Sequence, residues 1–321
     1  MSEQSHHTRS RFAAAPGLVL LAVAVLAGAA SESASVAPAE GERLRVVSLN
    51  PALTAILLAL GAGDMLVGVD SWSQKQRSEV AKLPDVGGLF DPSLEGVVAL
   101  EPDLVVLTPS VEQRDFRSRL EALGIRVAGF ENVRFDEVLS NILDLGVLVD
   151  REAEARVRVL AIRATRTAVA NVVASRDRVQ CLVVLQRDPV FVVGASSFID
   201  EMLETAGCTN LGRKLGEGYP RASLEWLVAQ APDVVFDTSR DAAMQGVRDY
   251  WQRWQTLPAV ETGRVLHIDA EMLTLPGPAL DDALRELARA LHGATVETEI
   301  AVALEAGAPA APTVPLREAG R

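Results

Sequence analysis

Short β-branched runs alternate through most of the chain with segments whose apolar residues recur every three or four positions. RVVSL (45–49) predicts a strand, Asn50-Pro51 a turn, and ALTAILLALG a helix closed by Gly61. MLVGVD is the next strand, followed by the LEGVVAL helix, the DLVVLT strand, a helix over VEQRDFRSRLEALG and the strand IRVAGF. Strands separated by helices of about ten residues build parallel sheets from βαβ units, so residues 44–150 form an α/β lobe. From Phe135 to Ser175 the texture changes: helical spacing continues with Arg and Glu between the apolar positions, and no strand interrupts it. Alternation then resumes with CLVVL, FVVGA, SFIDEMLETAG, SLEWLVAQ, DVVFDT, RVLHID and ALDDALRELARALHG, defining a second α/β lobe over 176–293. The fold class is α/β, two lobes of mainly parallel sheet flanked by helices and joined by a long helix.

Each lobe carries one copy of a repeated unit. SLEGVVALEPDLVVLT (93–108) returns as SLEWLVAQAPDVVFDT (223–238), with nine of sixteen positions identical. The Pro102-Asp103 and Pro232-Asp233 pairs punctuate a helix-to-strand turn. Glu95 and Glu225 fall in a first helical turn, where the macrodipole favours a carboxylate by about 0.3–1 kcal/mol without any partner.

Composition narrows the function. The chain has 321 residues, 49% hydrophobic and 23% charged, enough to bury a substantial core in two domains. A net charge of −12 excludes nucleic-acid binding, which needs a basic surface to neutralise phosphates. Arg9 and Arg11 precede the uncharged run FAAAPGLVLLAVAVLAGAA, so residues 1–30 read as a secretory signal cut near Ala30. The apolar part beyond Pro16 is shorter than the roughly 20 residues of a spanning helix, and a retained anchor is the alternative. Residues 31–43 are a polar linker, and 294–321, containing GAPAAPTVP, read as a disordered tail. Export lets Cys181 and Cys208 pair, while the apolar setting VQCLVVL also suits Cys181 as a buried free thiol.

RVVSLNPALTAILLALGAGDMLVGVDSWS, LPDVGGLFDPSLEGVVALEPDLVVLTPS, LEALGIRV, FVVGASSFIDEMLETAGCTNL and YPRASLEWLVAQAPDVVFDTS, in that order over some 250 residues, resemble the periplasmic substrate-binding proteins of ABC importers for vitamin B12 and ferric siderophores. The resemblance implies a single rigid bridging helix, 151–175, and a ligand held between the lobes of a monomer. It also implies that Glu95 and Glu225 dock onto arginines of a two-fold symmetric ABC permease in the inner membrane, two equivalent handles for two equivalent subunits.

Aromatic residues make up only 4% of the chain, so those outside the predicted strands and helices carry information. Trp72 in DSWS, Phe90 in GGLFDPS and Tyr219 in GEGYPRAS read as loop rings facing a large flat ligand. Pro51 matches the family's first ligand loop and Asp269 a ligand-facing position of the second lobe, although Asp269 also suits a helix cap. Trp226, Trp251 and Trp254 read as packing residues.

Two departures bear on the ligand: Ala55 replaces an acidic position of the family, and no Arg follows Asp269. A neutral ligand such as cobalamin or a related corrinoid is favoured over an anionic iron–siderophore, although Arg187, Arg213, Lys214 and Arg221 lie in segments near the cleft. Beyond the signal only His267 and His292 remain, too few for a bare metal site, while haem through Tyr219 stays open. No G-x-S-x-G, P-loop or H-E-x-x-H sequence is present, so catalytic residues and cofactors are not expected; a secreted carboxylate-dependent hydrolase is the distant alternative.

Overall fold

The computed structural model describes residues 43–109, 114–239 and 244–307; the signal at 1–30, residues 31–42 of the linker and the chain end from 308 lie outside the described residues. The first lobe runs β1 (Val46–Ser48), α1 (Pro51–Ala59), β2 (Leu66–Val69), α2 (Ser71–Gln76), α3 (Leu94–Val98), β3 (Leu104–Leu107), α4 (Arg114–Ala122), β4 (Arg126–Gly129) and α5 (Phe135–Leu148). Its four strands are parallel in the order β2-β1-β3-β4, with Val46 opposite both Leu66 and Leu104. β1 and β3 are buried along their whole length, as strands covered on both faces must be.

The 22-residue helix α6 (Glu152–Val173) leads into the second lobe and spans about 33 Å. There follow β5 (Val179–Arg187), β6 (Val190–Val192), α7 (Phe198–Thr205), β7 (Cys208–Asn210), α8 (Leu224–Gln230), β8 (Val234–Asp237), α9 (Met244–Trp251), α10 (Pro258–Glu261), β9 (Val265–His267) and α11 (Ala270–Thr274). The strand order is β6-β5-β8-β9 with β7 beside β5; only the short β5–β6 pairing is antiparallel among the described strands.

Two helices, α12 (Leu280–His292) and α13 (Thr295–Gly307), pack on α6. The tail expected from residue 294 is therefore corrected: Val296 and Ile300 are fully buried, and the helix continues to Gly307. Ala155, Val159, Ile162, Val169 and Val173 form the inner stripe of α6 at helical spacing. Through that stripe one apolar core runs from Val46 and Leu57 in the first lobe to Phe236 and Leu284 in the second. Among the described residues no helix is long and apolar enough to cross a membrane.

The repeat folds the same way twice. Ser93 Oγ accepts from Gly96 N at 3.0 Å and Ser223 Oγ from Trp226 N at 3.1 Å, capping α3 and α8. Glu101 (φ 44) and Ala231 (φ 48) occupy the left-handed region just before each Pro. The Asp that follows does more than punctuate: Asp103 Oδ2 accepts from Arg45 N at 2.8 Å and Asp233 Oδ2 from Gln180 N at 3.0 Å, fastening each turn to the start of β1 or β5.

The free-thiol reading of Cys181 is also corrected. Because β7 folds back beside β5, Cys181 and Cys208 are brought to a Cα separation of 5.9 Å and joined by a disulfide, and both are buried. An apolar setting suits a cystine as well as a thiol.

Candidate functional site

The loops that leave the carboxyl ends of the strands build the site, as expected for open α/β sheets. Pro51 opens α1 directly after β1, capped by Asn50, whose Oδ1 accepts from Ala52 N at 2.8 Å. Trp72 follows β2, but in the first turn of α2 rather than in a loop. Asp70 Oδ1 accepts from both Trp72 N and Ser73 N at 3.0 Å, turning the DSWS segment into a capped helix start. Asp269 follows β9 and caps α11, its Oδ1 accepting from Met272 N at 2.9 Å.

Two cavities meet along α11. The first, about 500 Å³, lies between the lobes, with Ala55 and Leu58 of α1 facing Met272 and Leu275. Arg77, Glu79, Asp269, Glu271 and Asp282 bring charge to its wall. Arg77, just past α2, pairs with Glu271 of α11, so an ion pair joins the two lobes across this cavity. Two of these acids are engaged: Asp269 is a cap and Glu271 an ion-pair partner. The second cavity, about 640 Å³, sits at the carboxyl ends of β5 and β8, lined by Arg187, Tyr219, Thr238 and Ser239 and closed by Ala270 and Thr274 of α11.

Asp269 and Tyr219 are thus brought to adjoining cavities, while Pro51, Trp72 and Phe90 line neither. Phe90 is 71% exposed, on a loop pinched by the Gly87–Pro92 bridge, so it does not staple the loop to its own lobe. The Tyr219 ring is half open to solvent, but burial of the hydroxyl near Ser197 pushes its pKa up to about 12. Of the four basic residues placed near the cleft by sequence, only Arg187 lines a cavity between or beside these loops. Arg213 is held by Asp200 and Glu204, Lys214 by Gln230, and Arg221 lies with Glu225 on an outer groove of about 760 Å³.

Arg187 belongs to a buried cluster that sequence reading missed. Asp237, at the end of β8, is fully buried; its Oδ2 accepts from Arg187 Nε at 2.9 Å and Trp251 Nε1 at 2.6 Å, and its Oδ1 from Ser239 N at 2.9 Å. The Arg187 guanidinium stacks 4.4 Å from the Tyr250 ring. The available signal was Asp237 itself, which replaces Leu107 of the first repeat at a core strand position. Trp226, Trp251 and Trp254 do pack, in the outer core of the second lobe.

Glu95 and Glu225 are both exposed in the first turns of α3 and α8. Hydrogen bonds from its own backbone N–H and from the Ser223 hydroxyl hold the Glu225 carboxyl below the usual range, so it is ionised at neutral pH.

The sequence pattern of the family described as "Periplasmic binding protein" matches residues 46–272. A vitamin B12-binding protein of Vibrio parahaemolyticus is 25% identical over 246 residues, covering 76% of this chain and 87% of the relative. Among solved structures, the periplasmic vitamin B12 binding protein BtuF of Vibrio cholerae superposes with a TM-score of 0.66 at 23% identity, over 81% of this chain and 97% of that one. A periplasmic heme binding protein from Pseudomonas aeruginosa gives 0.67 at 28% identity, over 77% and 92%.

Proposed function

Since the chain belongs to the periplasmic binding protein family, we propose that it is the capture component of an ABC importer, holding cobalamin or a related corrinoid between its lobes. The observation that carries the choice of ligand is the charge of the cavity walls. Five carboxylates, Glu79, Asp188, Asp269, Glu271 and Asp282, stand against two guanidiniums, Arg77 and Arg187, each of which already has an acidic partner. Such a cleft repels an anionic ferric siderophore and tolerates a neutral macrocycle. Haem fits less well, because its two propionates would meet the same acidic walls.

In this reading Tyr219 and Asp269 contact the ligand from the second lobe, and Pro51, Trp72 and the exposed Phe90 from the first. Glu95 and Glu225 dock the loaded protein onto a membrane permease. Export and removal of residues 1–30 would put the protein in the periplasm, where the Cys181–Cys208 bond can persist. Calorimetric titration with cyanocobalamin and with haem tests the ligand. Stoichiometric sub-micromolar binding of cyanocobalamin, weakened by Tyr219→Ala or Phe90→Ala, is expected. Haem binding without cobalamin binding would overturn the assignment.

A further inference from the structure

The Arg187–Asp237 cluster leaves two polar atoms unsatisfied. Arg187 Nη2 and Ser239 Oγ are buried without a hydrogen-bond partner, and both residues lie on the wall of the 640 Å³ cavity. Ser239 is 8% exposed and the Arg187 side chain 15%. Unmet buried polar groups are costly, and two of them on residues that line one cavity mark a place where a ligand group completes the bonding.

The chemistry of that group follows from what surrounds it. Asp237 neutralises the Arg187 charge, and the exposed Asp188 beside it adds a further negative charge. A carboxylate entering here would meet two acids and one already-paired guanidinium. A neutral group with both an acceptor and a donor fits better: a carbonyl oxygen for Nη2, an N–H for the Ser239 hydroxyl oxygen. Thr238 does not compete, because its hydroxyl already donates to Val184 O at 3.3 Å.

We infer that Arg187 and Ser239 form a subsite for a primary amide of the ligand, a specificity device that accepts the amide-bearing periphery of a corrinoid and rejects carboxylates. Neither atom touches solvent in this conformation, so contact requires the short Ser239 side chain to turn about χ1 into the cavity and the Arg187 guanidinium to tilt toward it. The inference rests on the corrinoid reading of the cleft, and the test separates the two.

The purified protein and its Ser239→Ala and Arg187→Lys variants would be titrated with cyanocobalamin and with derivatives in which one peripheral amide is hydrolysed to a carboxylate. Each variant should bind cyanocobalamin about tenfold more weakly, the scale of one buried hydrogen bond. Ser239→Ala should leave the ligand-free melting temperature unchanged or higher, because it removes an unsatisfied hydroxyl, which a purely structural serine would not do. One monocarboxylate should bind the unaltered protein at least about tenfold more weakly than cyanocobalamin, and that discrimination should shrink in Ser239→Ala. Unchanged cyanocobalamin affinity in both variants, or equal binding of every monocarboxylate, overturns the subsite while leaving the cobalamin assignment intact. No binding of cyanocobalamin by the unaltered protein overturns both.

Discussion

Opening the Cys181–Cys208 bond is the sharpest test of how the second lobe is held. The bond closes a loop of 27 residues in sequence separation. In the chain-entropy treatment, a loop of that length removes about 12 cal/mol/K from the unfolded ensemble, or about 3.5 kcal/mol at 25 °C. Spread over roughly 260 folded residues at about 2.1 cal/mol/K each, that loss lowers the melting temperature by about 6 °C. Scanning calorimetry with and without a phosphine reductant measures the difference directly. The double variant Cys181→Ala, Cys208→Ala should fall further, since it also removes two buried sulfurs from β5 and β7. Two titratable thiols in unreduced, denatured protein would refute the bond. Absence of thiols together with a shift below about 1 °C would refute the loop-closure reasoning instead.

Ile300→Ala, which empties a fully buried site under α13, should cost about 2–4 kcal/mol in urea unfolding; a loss under about 0.5 kcal/mol would mean that the last helix is dispensable. His292 bonds to Ala206 O, and burial lowers its pKa below 6.5, so the unfolded chain binds the proton more readily. Stability should be complete above pH 6.5 and fall as the pH drops through that value toward the folded pKa; His292→Gln should flatten the profile, and an identical slope in the variant would rule the group out. Replacing Glu95 and Glu225 together by Ala should leave cyanocobalamin affinity unchanged and abolish uptake in cells, and normal uptake would remove the docking assignment.

Much of the fold was legible because its signals are local. β-branched runs, helical spacing and the doubled SLE…PD unit each announce themselves within twenty residues of chain, and the strands and helices formed where those patterns lie. What stayed hidden depends on contacts distant in sequence. The cystine needs β7 to lie beside β5, which no spacing rule encodes. Helix α13 was masked by the proline-rich stretch after it, although Val296 and Ile300 stand four apart. At the site, the chain showed which loops gather at the strand ends but not which charges neutralise one another. Arg187 looked like one of four free cations until Asp237, fifty residues on, was found against it. Arg77 and Glu271 carry no local mark at all, because their meeting is a property of two lobes rather than of either one.

The single core that passes through α6 also bears on how a captured molecule is let go. A cleft whose two walls share one set of buried side chains is already shaped before anything enters, so little chain ordering accompanies capture and the complex lasts as long as its contacts do. Thermal opening of the lobes would have to shear Val159, Ile162 and Val169 from their neighbours. On the proposed importer role, discharge would be mechanical work done from outside, by a permease that grips both lobes at once and prises them apart.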